Sequence, residues 1–188
     1  MKKTTGLLFM VLLFFSSCSI IVTWFRPGGF TQRYDGKYTG LDTLLNIDGY
    51  FYSDSTQYTV LFYRDGAIAN YSAPQEDKYF DKDTKNKYVY IPRWGVYRLH
   101  GDTIKAQTIL NFGGQENMST GFNTYVIKSK TEIELYSINK VYTSPKEDII
   151  KIPLYYHPYS NRLDSTHYWV EKRKWFWDKE AYKEQKKK

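Results

Sequence analysis

At 188 residues with a single cysteine, the chain is long enough for one domain with a real core, and that core must stand without an internal disulfide. The formal charge of +7 invites a nucleic-acid reading, but its distribution argues against one. Residues 171–188 hold eight basic side chains against four acidic ones, whereas residues 18–170 hold 17 against 16. No sustained basic stripe is left to track a phosphate backbone, so nucleic-acid binding is excluded as the main function.

The first segment reads Met1-Lys2-Lys3, then a mostly apolar run from Gly6 to Phe15, then Ser16-Ser17-Cys18. This is the charged, apolar and small-residue order of an export signal. The run Phe15-Ser16-Ser17-Cys18 resembles the lipobox of bacterial prolipoproteins. That resemblance implies cleavage before Cys18 and a lipid on its sulfur, holding the protein to a bilayer. Ser19 follows with no acidic run behind it, which favours an outer-membrane anchor facing the periplasm. The apolar stretch can also be read through the cysteine, from Gly6 to Phe25, as an uncut anchor with its lysine-bearing end in the cytoplasm. Both readings export the domain and tether it by its leading end.

The body is rich in rings, with nineteen Tyr, eleven Phe and five Trp, mostly in short runs that alternate with polar residues at the period of half-buried strands. After an irregular entry, Arg26 to Thr43, strands are expected at Leu44–Ser53, Tyr58–Arg64 and Ala67–Ser72. Asp65-Gly66 between the last two is a strong hairpin signal. Pro74 to Lys87 is charged and turn-rich, hence a loop, and Lys87–Ile91 is an edge-strand candidate stopped by Pro92. Further strands are expected at Trp94–His100, Asp102–Leu110, Phe122–Lys130, Thr131–Asn139 and Ile149–His157, with a second long loop over Asn111–Gly121. Tight links between neighbours favour an up-and-down meander, and closure into a barrel would remove exposed edges. Leu163 to Thr166 could cap a short helix through Trp177, its rings sealing one end of the barrel or lying on its outside. The final Asp178 to Lys188 reads as a charged tail, either a frayed helix or disordered.

These runs resemble those of small lipocalin-like lipoproteins of Gram-negative bacteria, calycin-type barrels of eight antiparallel strands behind a lipobox. The residues that carry the resemblance are the FSSC box, IDGYFYS, LFYRDGAI, WGVYRLHGDTIKAQ, YVIKSKTEIEL and LDSTHYWVEKRKWF, spanning Asn46 to Phe176. It implies an all-β single barrel and an envelope address. The expected organisation is a signal at 1–17, a tether and entry at 18–43, the barrel at 44–177 and a charged tail at 178–188.

Catalytic signatures are missing from the sequence. His100, His157 and His167 have no Cys, Asp or Glu beside them at metal-ligand spacing, and no nucleophile elbow, phosphate loop or dinucleotide glycine pattern occurs. Glu132 and Glu134 share a strand face but nothing nominates them as an acid–base pair. No cofactor, metal or catalysis is therefore expected. An eight-stranded barrel is just wide enough to be filled by side chains or to hold one small ligand. Tyr50, Tyr52, Phe62, Tyr97, Tyr125 and Tyr136 sit on strand candidates and are the expected lining for a small hydrophobic or amphiphilic molecule. The alternative is a filled core, with an aromatic surface or basic tail contacting an envelope protein or lipid headgroups.

Overall fold

Each alternating run pairs antiparallel with its neighbour in sequence, and the last pairs with the first. The computed structural model describes residues 27–72, 93–110, 119–140, 147–159 and 169–187. Its strands are β1 (Gly49–Ser53), β2 (Tyr58–Phe62), β3 (Ala67–Ser72), β4 (Arg93–His100), β5 (Thr103–Leu110), β6 (Ser119–Ser129), β7 (Glu132–Lys140) and β8 (Asp148–Pro158), closed in that order into a barrel. The all-β, up-and-down architecture expected from the sequence is the fold. Where Asp65-Gly66 joins β2 to β3, Gly66 takes φ +88°, a region open to glycine because it lacks a Cβ. The hairpin closes through Tyr63 N donating to Ala67 O at 3.0 Å. Cys18 and the leader, the loop at 74–87, the strand candidate Lys87–Ile91, most of the second loop, the cap at Leu163–Thr166, His167 and Tyr168 lie outside the described residues.

The strands bury side chains on two faces. One apolar cluster takes Phe51, Val60, Phe62, Ile68, Tyr97, Ile104, Ala106, Tyr125, Ile133, Leu135 and Leu154, a set drawn from all eight strands. Only the inside of a closed barrel can be reached from every strand, so this is the interior core. A second cluster uses the alternate positions of β1 to β5, including Tyr50, Tyr52, Leu61, Ala69, Tyr71, Trp94, Val96 and Ile109. Because strand side chains alternate between faces, this second cluster lies on the outer wall. It is covered by Phe30 and Tyr34 from the entry segment and by Val170, Phe176 and Trp177 from the exit segment.

The two covering segments hold each other and the wall. Phe176 stacks on Phe30 at 5.8 Å and on Tyr34 at 5.3 Å between ring centroids. Tyr34 N donates to Phe176 O at 2.9 Å and Asp178 N to Tyr34 O at 2.6 Å, a parallel bridge between the ends of the chain. Gln107 on β5 fastens the entry segment: its Oε1 accepts from Thr31 N at 2.9 Å and Gln32 N at 2.8 Å, and its Nε2 donates to Gly29 O at 2.6 Å. The buried amide thus substitutes for a neighbouring strand.

Several elements differ in extent from the sequence reading: β2 ends at Phe62 rather than Arg64, and β6 begins at Ser119 rather than Phe122, because Ser119, Thr120 and Gly121, expected in the second loop, pair with Leu110, Ile109 and Thr108 of β5. β1 starts at Gly49 rather than Leu44, because Leu41–Thr43 forms a 3-10 turn and Leu41, Leu45 and Ile47 turn inward to plug the barrel. The helix expected through Trp177 is only a 3-10 turn, Trp169–Lys172, among the described residues. Beyond it a second turn, with Phe176 N donating to Arg173 O at 3.0 Å, brings Trp177 to pair with Tyr34, and this tertiary bonding overrides local helix preference. The charged tail instead forms α1 (Lys179–Gln185), capped by Asp178 Oδ1, which accepts from Glu180 N at 3.0 Å and Ala181 N at 3.4 Å.

If the outer layer is a true second core, Phe176→Ala should destabilise the protein by about 3 to 5 kcal/mol, as much as Phe62→Ala inside the barrel. Urea unfolding of both variants checks this. A cost below about 1 kcal/mol for Phe176→Ala would demote the terminal segments to loose cladding.

Candidate functional site

The interior is sealed at one end. There the connections are short, running through Arg64–Gly66, Gly101–Asp102 and Lys130–Thr131, and the plug of Leu41, Leu45 and Ile47 fills the space between them. Tyr97 anchors this end: its hydroxyl donates to Tyr63 O at 2.7 Å and shares a hydrogen bond of 2.7 Å with Thr39 Oγ1. Above it, Phe62 stands edge-on between Tyr97 and Tyr125, 5.5 Å from each, and 6.1 Å from Phe51. Rings in this geometry attract edge to face and fill the lower half of the barrel.

The opposite end carries the longer connections, at 54–57, 73–92, 111–118 and 141–147. Here the interior changes character. Tyr58 and Tyr125 bring their hydroxyls to 2.7 Å, and Asn123 Nδ2 donates to Tyr58 Oη at 3.1 Å and Tyr125 Oη at 3.3 Å. Asn70 Nδ2 reaches Thr108 Oγ1 at 3.5 Å. The two phenols spend one of their two protons on each other. The buried Asn70 Oδ1 accepts no hydrogen bond at all. Leaving such a group unpaired costs about 1 to 3 kcal/mol, and the cluster keeps this one unspent acceptor inside the barrel.

Electrostatics keep this patch neutral. Burial raises the Tyr58 hydroxyl to about 12 against hydrogen bonds from Tyr125, Asn70 and Asn123 and the nearby Arg93 charge, and burial pushes Tyr125 well up too. Neither can act as a base near neutral pH. The patch offers neutral hydrogen bonding, suited to a hydroxyl, amide or carbonyl.

Of the six residues expected to line a ligand cavity, the structure gathers three. Phe62, Tyr97 and Tyr125 point inside, whereas Tyr50 and Tyr52 take the outer face, Tyr50 stacking on His157 at 5.3 Å. Tyr136 is the extra residue of a bulge in β7, with the Lys151 ammonium 5.8 Å from its ring centre. Tyr58, Asn70, Thr108 and Asn123 were not anticipated. Parity was the available signal: Tyr58 shares a face with Phe62, and Tyr50 and Tyr52 flank the inward Phe51. Among the described residues no three His, Asp or Glu side chains gather as a metal site. His100 is exposed at a strand end.

The raised Tyr58 hydroxyl has a pH consequence. Its neutral form is favoured by folding, so its stabilising effect is whole below the ordinary tyrosine value of 10 and is lost as pH rises from there to about 12. Tyr58→Phe should remove that portion of the alkaline decline, measured as unfolding stability against pH for both proteins. No family model, no curated protein and no solved structure matches this chain, and the functional reading therefore rests on the geometry just described.

Proposed function

We propose that this chain is a membrane-tethered, non-enzymatic binding protein of the bacterial envelope, lipocalin-like in kind, which takes a small amphiphilic molecule. Its lipid is carried on Cys18, and it faces the periplasm from the outer membrane. One observation carries the ligand reading: on the side of the long connections the interior holds a polar cluster in which the buried Asn70 Oδ1 accepts no hydrogen bond. A ligand hydroxyl would donate to that oxygen, while the ligand's apolar part would lie along the neighbouring rings. The packed rings of Phe51, Phe62 and Tyr97 limit such a ligand to the upper part of the barrel. The leader supports the address through its Phe15-Ser16-Ser17-Cys18 run.

Native mass spectrometry of the full-length gene product, extracted from bacterial membranes, tests both halves. The expected spectrum shows a chain cut before Cys18 and heavier by a diacylglycerol and an acyl group, with a second, releasable small molecule. An unlipidated chain would sink the address, and a chain with no releasable mass would sink the ligand. Asn70→Leu should lose the releasable molecule and yet raise unfolding stability by about 1 kcal/mol, since it removes an unpaired buried amide. A variant that lost stability and kept the molecule would show Asn70 to be a core residue only.

A further inference from the structure

Outside the barrel, α1 and the exit segment form a groove of about 960 Å³ whose chemistry the interior site does not use. Its walls are rings, Trp175, Trp177 and Tyr182, and Trp177 turns its polar edge away by donating Nε1 to Glu171 O at 2.7 Å. Around the walls stand Arg33, Lys174, Lys179, Lys183, Lys186 and Lys187 against a single carboxylate, Asp178. That carboxylate is already engaged as the cap of α1, whose backbone N–H groups hold it below its ordinary value. The other acids nearby, Asp35, Glu171, Glu180 and Glu184, line an adjoining hollow that shares Arg33, Trp177 and Asp178 with the groove and also holds Lys37 and Arg98. Lys183 does reach across to Glu180 at 2.9 Å, but Lys174, Lys179 and Lys187 have no ion pair among the described residues. Lysine stems and aromatic rings side by side, with ammonium groups outermost, match the boundary between acyl chains and anionic headgroups.

We infer that this groove docks on a membrane surface bearing anionic lipid headgroups, an inference that rests on the tether proposed above for its orientation. Two observations favour a membrane over other polyanions. The cations surround an apolar trough rather than forming a flat stripe, and each cation near such a surface adds roughly fivefold to binding. The groove also adjoins the place where the leading end joins the fold: Phe30 packs edge-on against Trp175 at 5.6 Å, and Arg33 is on the rim. Residues 18–26 can span at most about 30 Å when fully extended, so a lipid on Cys18 keeps the groove within reach of the bilayer.

The test places the full-length lipidated protein on vesicles of phosphatidylcholine alone or with phosphatidylglycerol, then measures flotation and hydrogen exchange over residues 174–187. The expected result is flotation with both vesicles. Exchange should slow at least tenfold on the anionic ones only and recover in about 1 M salt, where screening is nearly complete. The triple variant Lys174→Glu, Lys179→Glu, Lys187→Glu should still float with both but lose the slowing, its circular dichroism unchanged. Flotation with anionic vesicles alone would support the groove and sink the tether. Flotation with both and equal exchange on both would overturn the groove and leave the tether standing, and flotation with neither would overturn both. Slowing caused by a single-stranded RNA oligonucleotide, and by no vesicle, would overturn the inference in favour of nucleic acid.

Discussion

Strands β1 to β4 are apolar on both faces, and that constraint shapes the rest of the molecule. A barrel solves burial for one face only. The interior takes Phe51, Phe62, Ile68 and Tyr97, but Tyr50, Tyr52, Tyr71 and Trp94 are left on the outer wall of the same strands. Exposing rings of that size to water together would leave a large apolar patch. The entry segment with Phe30 and Tyr34, and the exit segment with Phe176 and Trp177, meet over this wall and hydrogen-bond to each other. The two ends of the chain are therefore structural, and their junction is a consequence of the aromatic surplus.

Inside, the same excess of rings decides what the barrel can hold. Phe62, wedged edge-on between two tyrosines, occupies the centre, and the leucine plug closes the end below it. At the end with the longer connections the buried polar cluster leaves Asn70 Oδ1 without a partner, which is not what stability alone would select. Natural interiors pair their buried polar atoms. An orphaned amide oxygen within a buried polar cluster is the kind of local cost that binding can offset.

Joining the entry and exit segments on one wall also brings the basic tail beside the start of the fold. The basic residues that make the chain cationic overall are concentrated in its last segment. Folding carries them next to the point where the leading end enters. Neither Lys179 nor Arg33 has meaning as a surface alone, since they are far apart in sequence and meet only because Phe176 seats on Phe30 and Tyr34.

By itself the sequence determined the alternating runs, the meander and the hairpin at Asp65-Gly66, because alternation and turn chemistry are local and a positive φ at glycine is read from one residue. The expectation of an export signal before Cys18 also came from a local pattern that needs no fold. Tertiary structure alone decided which parity of each strand faces inward, since on β1 to β4 both parities are apolar and the pattern is symmetric. Hence Tyr50 and Tyr52 went outside while Tyr58, unremarked, went in. It likewise decided that Trp177 pairs with Tyr34 after the turn at 174–176, because hydrogen bonds to Tyr34, more than a hundred residues away, outweigh what neighbours along the chain prefer.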